Sequence, residues 1–117
     1  QIGSTGYKAR NSISISQQTV GIQNISSEIP KSFSLKQNYP NPFNPITNIN
    51  FELPKNSKVK LAVYDALGRE LSVLVNEELN AGTYNYKYDA SNISSGVYFY
   101  RILAGDYNSV KRMVVLK

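Results

Sequence analysis

The sequence predicts an all-β fold, an antiparallel immunoglobulin-like β-sandwich of about seven strands in two sheets. Three observations carry this. Apolar and polar residues alternate with a period of two through most of the chain, as in half-buried strands. Turn residues recur about every 8–12 positions between these runs, the spacing of a sandwich or barrel. No stretch of about ten residues or more holds a helical period. With 117 residues, 41% of them hydrophobic, the chain can build one core.

All five prolines fall between Pro30 and Pro54. They divide the chain into an N-terminal arm or linker (1–31) and a sandwich (32–117) that opens with a proline-punctuated segment. In the arm, Ser12-Ile13-Ser14-Ile15-Ser16 alternates as a strand does. Residues 17–28 are polar, with isolated Val20, Ile22 and Ile25, and read as a linker with room for one more short strand.

The body of the chain is more regular. Ile49, Phe51 and Leu53 share one face of a strand, and Pro54-Lys55-Asn56-Ser57 supplies a turn. Val59, Leu61 and Val63 repeat the alternation, with Lys58 and Lys60 opposite. Asp65-Ala66-Leu67-Gly68 reads as a hairpin connection into a strand over 69–75 that points Leu71, Val73 and Val75 inward. After the turn at Asn80-Ala81-Gly82, residues 83–89 place Tyr84, Tyr86 and Tyr88 on one face. The apolar and aromatic run 97–104 reads as a central strand buried on both faces. Gly105-Asp106 turns the chain into a last strand over 107–116.

Composition excludes several chemistries. With no Cys and no His, disulfides, thiolate sites and neutral-pH imidazole catalysis are ruled out. Glu77-Glu78, the one adjacent carboxylate pair, reads as a solvated turn rather than an acid–base pair. Asp65, Asp89 and Asp106 each flank a turn, where the side chain bonds the backbone. No Asp-x-Asp cluster suggests calcium, and no glycine loop cradles phosphate. The reading is of no enzyme, no cofactor and no metal. The net charge of +5 comes from scattered Lys and Arg, which argues against nucleic acid. No run reaches the roughly 20 apolar residues of a membrane-spanning helix. No signal-peptide core opens the chain, so an exported parent would have lost its signal or the chain is a fragment. The Tyr84, Tyr86 and Tyr88 face has two readings, a sugar-binding platform or the filling of a sheet face against its partner.

Several stretches carry a family likeness: Gln37-Asn38-Tyr39-Pro40-Asn41-Pro42-Phe43-Asn44-Pro45, Val63 to Glu70, Leu79 to Tyr84, Ser95 to Arg101, and the ending Lys111-Arg112-Met113-Val114-Val115-Leu116-Lys117. In order and spacing, from about Phe33 to Lys117, they resemble the C-terminal sorting domain of type IX secretion substrates. The resemblance implies a non-catalytic sandwich that is read by the type IX machinery and carries its protein through the outer membrane to the cell surface or beyond. It also implies recognition features at Pro40, Asn41, Pro42, Gly82, Tyr84, Gly96, Tyr98, Lys111, Arg112 and Lys117. Each has a structural reading beside it. The prolines could form a rigid lid, the glycines serve turns, and the tyrosines fill the core. The basic last strand could be a readable edge or an edge protected against pairing. The arm lies outside the resemblance. Ile13 and Ile15 could add a strand to an open edge of the same chain or of another copy, and head-to-tail exchange would build an extracellular filament.

Overall fold

The computed structural model describes residues 21–26 and 28–117. It is an antiparallel β-sandwich with no helix among those residues. Its strands are β1 (Gly21–Ser26), β2 (Ser34–Leu35), β3 (Ile46–Leu53), β4 (Ser57–Tyr64), β5 (Glu70–Leu79), β6 (Gly82–Asp89), β7 (Gly96–Ala104) and β8 (Tyr107–Val115). One sheet has the order β1-β6-β3-β2, the other β5-β4-β7-β8. β1 falls in the linker stretch read as having room for a short strand, and it pairs along the free side of β6.

The period-two residues meet between the sheets. Ile49, Phe51 and Leu53 of β3 are fully buried, as are Val59, Leu61 and Val63 of β4 and Tyr100 and Ile102 of β7. Tyr84 and Tyr88 of β6 are also buried, and Tyr84 stacks on Phe51 with ring centroids 5.4 Å apart. The tyrosine face is therefore the inner face of its sheet and presents no flat platform to a sugar.

Two sequence expectations change. Leu71 and Val73 are exposed, at 44% and 42%, rather than inward. Register shifts in the β4–β5 ladder explain this: Leu61 faces Val75 but Ala62 faces Val73, and Val63 faces Ser72 but Tyr64 faces Glu70. Leu74 and Leu71 are thus extra residues, and each resets which side chains point inward. β7 is an interior strand, yet it alternates buried and half-exposed residues, so only one face is covered. Its apolar outer residues face away from the other sheet because the sandwich has only two layers. A further correction concerns Glu77-Glu78, which lie within β5 opposite Val59 and Lys58 rather than in a turn.

Candidate functional site

The proline segment ties the two sheets together along one side of the sandwich. At one end Tyr39 is stitched to β3, its N–H donating to the Asn48 carbonyl (3.0 Å) and its carbonyl accepting from the Asn48 N–H (2.9 Å). At the other end Phe43 is stitched to β8, its N–H donating to the Val114 carbonyl (3.1 Å) and its carbonyl accepting from the Leu116 N–H (3.0 Å). Two side chains extend this clasp along β8. Asn41 Oδ1 accepts from the Val114 N–H (2.9 Å), and Gln37 Nε2 donates to the Arg112 carbonyl (2.6 Å).

Prolines lack an N–H, so a segment this rich in them needs donors from elsewhere for its carbonyls. Asn38 and Thr47 supply them. Both are buried, and Asn38 Nδ2 and Thr47 Oγ1 donate to the Pro40 carbonyl at 3.2 and 2.8 Å. Asn38 Nδ2 also reaches Thr47 Oγ1 at 3.0 Å. The Tyr39-Pro40, Asn41-Pro42 and Asn44-Pro45 peptide bonds are cis. The Phe43 ring is buried and meets Tyr88 edge-on, which anchors the clasp in the core, while Tyr39, Pro40, Asn41 and Pro42 are exposed.

The two Gly-x-Tyr motifs form a repeated device. Gly82 and Gly96 open β6 and β7 with φ of 153° and 155°. Two residues on, each tyrosine turns its ring into the core and donates its hydroxyl to a backbone carbonyl four residues back. Tyr84 bonds Asn80 at 2.7 Å and Tyr98 bonds Ser94 at 2.8 Å. Each pair thus pins a connecting loop to the strand that follows it. Gly82 has a second constraint, since a Cβ there would lie 2.7 Å from Asn24 Nδ2 and 3.0 Å from the Ser26 carbonyl.

The ten residues singled out by resemblance do not form one site. Asn41 and Phe43 hold the Pro40-Asn41-Pro42 stretch to Val114 and Leu116, at the C-terminal end of β8. Lys117, just past that end, joins the loop before β7, its backbone N–H on Ser95 Oγ (2.9 Å) and its Nζ on the Ser91 carbonyl (3.0 Å). That places it near Gly96 and Tyr98. Gly82 and Tyr84 begin β6, while that loop follows the end of β6, so the two groups are separated by the length of a strand. Lys111 and Arg112 diverge by strand alternation: Lys111 faces Tyr100 on the inner side and Arg112 faces Phe99 on the outer side. Gln37, Asn38, Phe43 and Thr47 carry the clasp without having been singled out. For Asn38 and Thr47 the signal in the sequence was the need of a nearby proline-rich segment for side-chain donors; Gln37 and Phe43 left none. Ile13 and Ile15 lie outside the described residues.

Tyr100 links the clasp to the core. Its ring is fully buried, and its hydroxyl donates to the Lys36 carbonyl at 2.6 Å, just before the proline segment. Burial pushes its pKa up from 10.0 to about 12. Because the folded state favours the neutral phenol, this contribution is complete below about pH 10 and is lost as pH rises toward 12. Denaturation followed across that window should show stability falling by at most about 1.4 kcal/mol per pH unit from this group. Tyr100→Phe should remove that component and leave the smaller one from Tyr86 and Tyr88, whose pKa values burial also raises.

The sequence profile of the family described as secretion system C-terminal sorting domain matches residues 37–116. That span begins at the clasp and ends one residue past β8. The chain belongs to this family. The matched residues of the sorting domain include both stitched partners, Gln37 to Phe43 and Arg112 to Leu116, together with both Gly-x-Tyr motifs. The family is one of sorting signals and not a catalytic one. No curated protein and no solved structure matches the chain. Among the described residues, no group of acidic side chains is arranged to hold a metal ion.

Proposed function

We propose that the chain is a non-catalytic sorting module of type IX secretion that takes an attached protein through the outer membrane to the cell surface or the medium. Its readable surface is the clasp together with the last strand. The observation that carries this reading is the stitching of Gln37, Asn41 and Phe43 onto β8 at Arg112, Val114 and Leu116. Two segments at opposite ends of the matched region become one rigid, exposed surface. The partner would see the Tyr39-Pro40-Asn41-Pro42 ridge and the edge of β8 in a fixed relation, already ordered before contact, which lowers the entropy cost of binding.

The test is a reporter with an export signal fused ahead of the full chain in a type IX-competent cell. The wild-type fusion should reach the surface or the medium. Gln37→Ala/Asn41→Ala removes two clasp bonds of about 1 kcal/mol each and leaves the core intact. It should keep a folded spectrum and leave more reporter in the periplasm. Periplasmic retention of the wild-type fusion would overturn the sorting role, and full export of the double variant would overturn the clasp as its readable surface.

A further inference from the structure

Among the described residues four strands lie at sheet edges, β1, β2, β5 and β8. Exposed edges invite pairing with other chains, and proteins blunt them with bulges or short strands. β1 has a register shift between Asn24 and Ser26, β2 has two residues, and β5 has two shifts. β8 has none: its nine pairs with β7 run in unbroken register from Tyr107 to Val115.

The clasp covers only part of that edge. Val114 bonds it through both its N–H and its carbonyl, so these groups point away from β7. Antiparallel alternation then points the backbone groups of Asn108, Val110 and Arg112 the same way. The Arg112 carbonyl is taken by Gln37. Among the described residues nothing bonds the N–H groups of Asn108, Val110 and Arg112 or the carbonyls of Asn108 and Val110. The result is an open stretch of edge, closed on one side by the clasp and on the other by the Gly105-Asp106 turn.

Its surroundings are apolar and cationic. On the outer face a hollow of about 230 Å³ is lined by Tyr64, Gly68, Phe99, Arg101 and Val110. Val110 is 53% exposed beside it. Arg112 stands next to Val110 on that face, and Lys111 lies on the inner side. Among the described residues the salt bridges are Lys60–Glu70 and Arg69–Asp65, so none of Arg101, Lys111 and Arg112 has a carboxylate partner. Pairing β8 with β8 of a second copy would gather these cations from both chains with no carboxylate between them. An acidic strand meets no such penalty.

We infer that the open half of β8, Asn108 to Arg112, is a strand-addition site for an extended acidic peptide that carries an apolar or aromatic side chain with a carboxylate two residues to either side, so that all three share the outer face. Backbone bonds to the edge give the affinity. The apolar side chain enters the hollow between Phe99 and Val110, and the carboxylates meet Arg101 and Arg112. As the partner class for the sorting surface, the peptide rests on the sorting role, and the experiment separates the two.

The probe is a short, dye-labelled, acetylated peptide with glutamate, phenylalanine and glutamate at every second position and threonine between them, titrated into the full chain. A twin with lysine for glutamate serves as control. Saturable binding of the acidic peptide, weakened by salt, is expected. Val110→Pro removes one edge N–H without touching the β7 ladder, since that N–H faces outward. It should weaken binding by about tenfold or more. Arg112→Glu should weaken the acidic peptide and strengthen the lysine twin. Hydrogen exchange should slow at Val110 and Arg112 and stay unchanged in β1 and β5. Equal binding by Val110→Pro, preference for the lysine twin by the wild-type chain, or no binding at millimolar peptide would overturn the site. Absent binding with the reporter still exported would sink the peptide site alone. Retention of the reporter with the peptide bound would sink the sorting role and leave the site standing.

Discussion

Tyr100→Ala should remove about 3–5 kcal/mol of stability, the range for deleting a large buried aromatic side chain. The ring is fully buried in β7 between Val63 of β4 and Lys111 of β8 in the ladder. Truncation leaves a cavity that the surrounding strands, fixed by their ladders, cannot close. It also strips the Lys36 carbonyl of its only hydrogen-bond donor among the described residues. Tyr100→Phe keeps the volume and loses only that bond, so it should cost about 1–2 kcal/mol. Denaturant titration with an unchanged slope for both variants would attribute the loss to the native state. A Tyr100→Phe cost equal to that of Tyr100→Ala would mean that the hydroxyl, not the ring, is what matters there.

Gly82→Ala is the second large expected effect, and it is local. At φ of 153° an L side chain is strained, and the added Cβ would press on Asn24 Nδ2 and on the Ser26 carbonyl. Asn24 can swing away, but Ser26 contributes backbone and is held in the β1–β6 ladder opposite Thr83. β1 buries little of its own, since Gln23, Asn24 and Ile25 are exposed and Ile22 is its one apolar residue packed on the core. The strand should therefore detach before the sandwich yields. A loss of about 2 kcal/mol is expected, from strain together with lost pairing. Hydrogen exchange should quicken throughout β1 and remain slow in β4 and β7. Gly96→Ala meets only ordinary contact, the nearest atom of Tyr98 being 3.7 Å from the built Cβ, so it should show the conformational cost without a detached strand. Unchanged exchange in β1 of Gly82→Ala would remove close approach as the reason for this glycine.

Local rules made much of the fold legible. The inward positions of β3, β4 and β6 follow from alternation, because a pleated strand turns successive side chains to opposite faces whatever it pairs with. Asp65 shows the same logic at a turn. Its carboxylate accepts from the N–H groups of Leu67 and Arg69, both at 2.9 Å, as a turn aspartate does. β5 escaped this reasoning, since an extra residue in a ladder is set by the partner strand and leaves no mark on composition. β7 misled for a related reason. An apolar run shows that burial is tolerated on both faces, but only the number of layers says whether both are covered.

By itself the sequence determined the strand-and-turn order, the alternating inward positions of β3 and β4 and, through its motifs, membership of the sorting-domain family. It could not place Gly21–Ser26 on β6 or bring Gln37–Phe43 onto β8. Those depend on which edges remain free after the strands have paired, and an edge is a property of the whole sheet. The tertiary structure alone therefore decided that the proline segment and the last strand form one surface, and that part of β8 has no edge partner among the described residues.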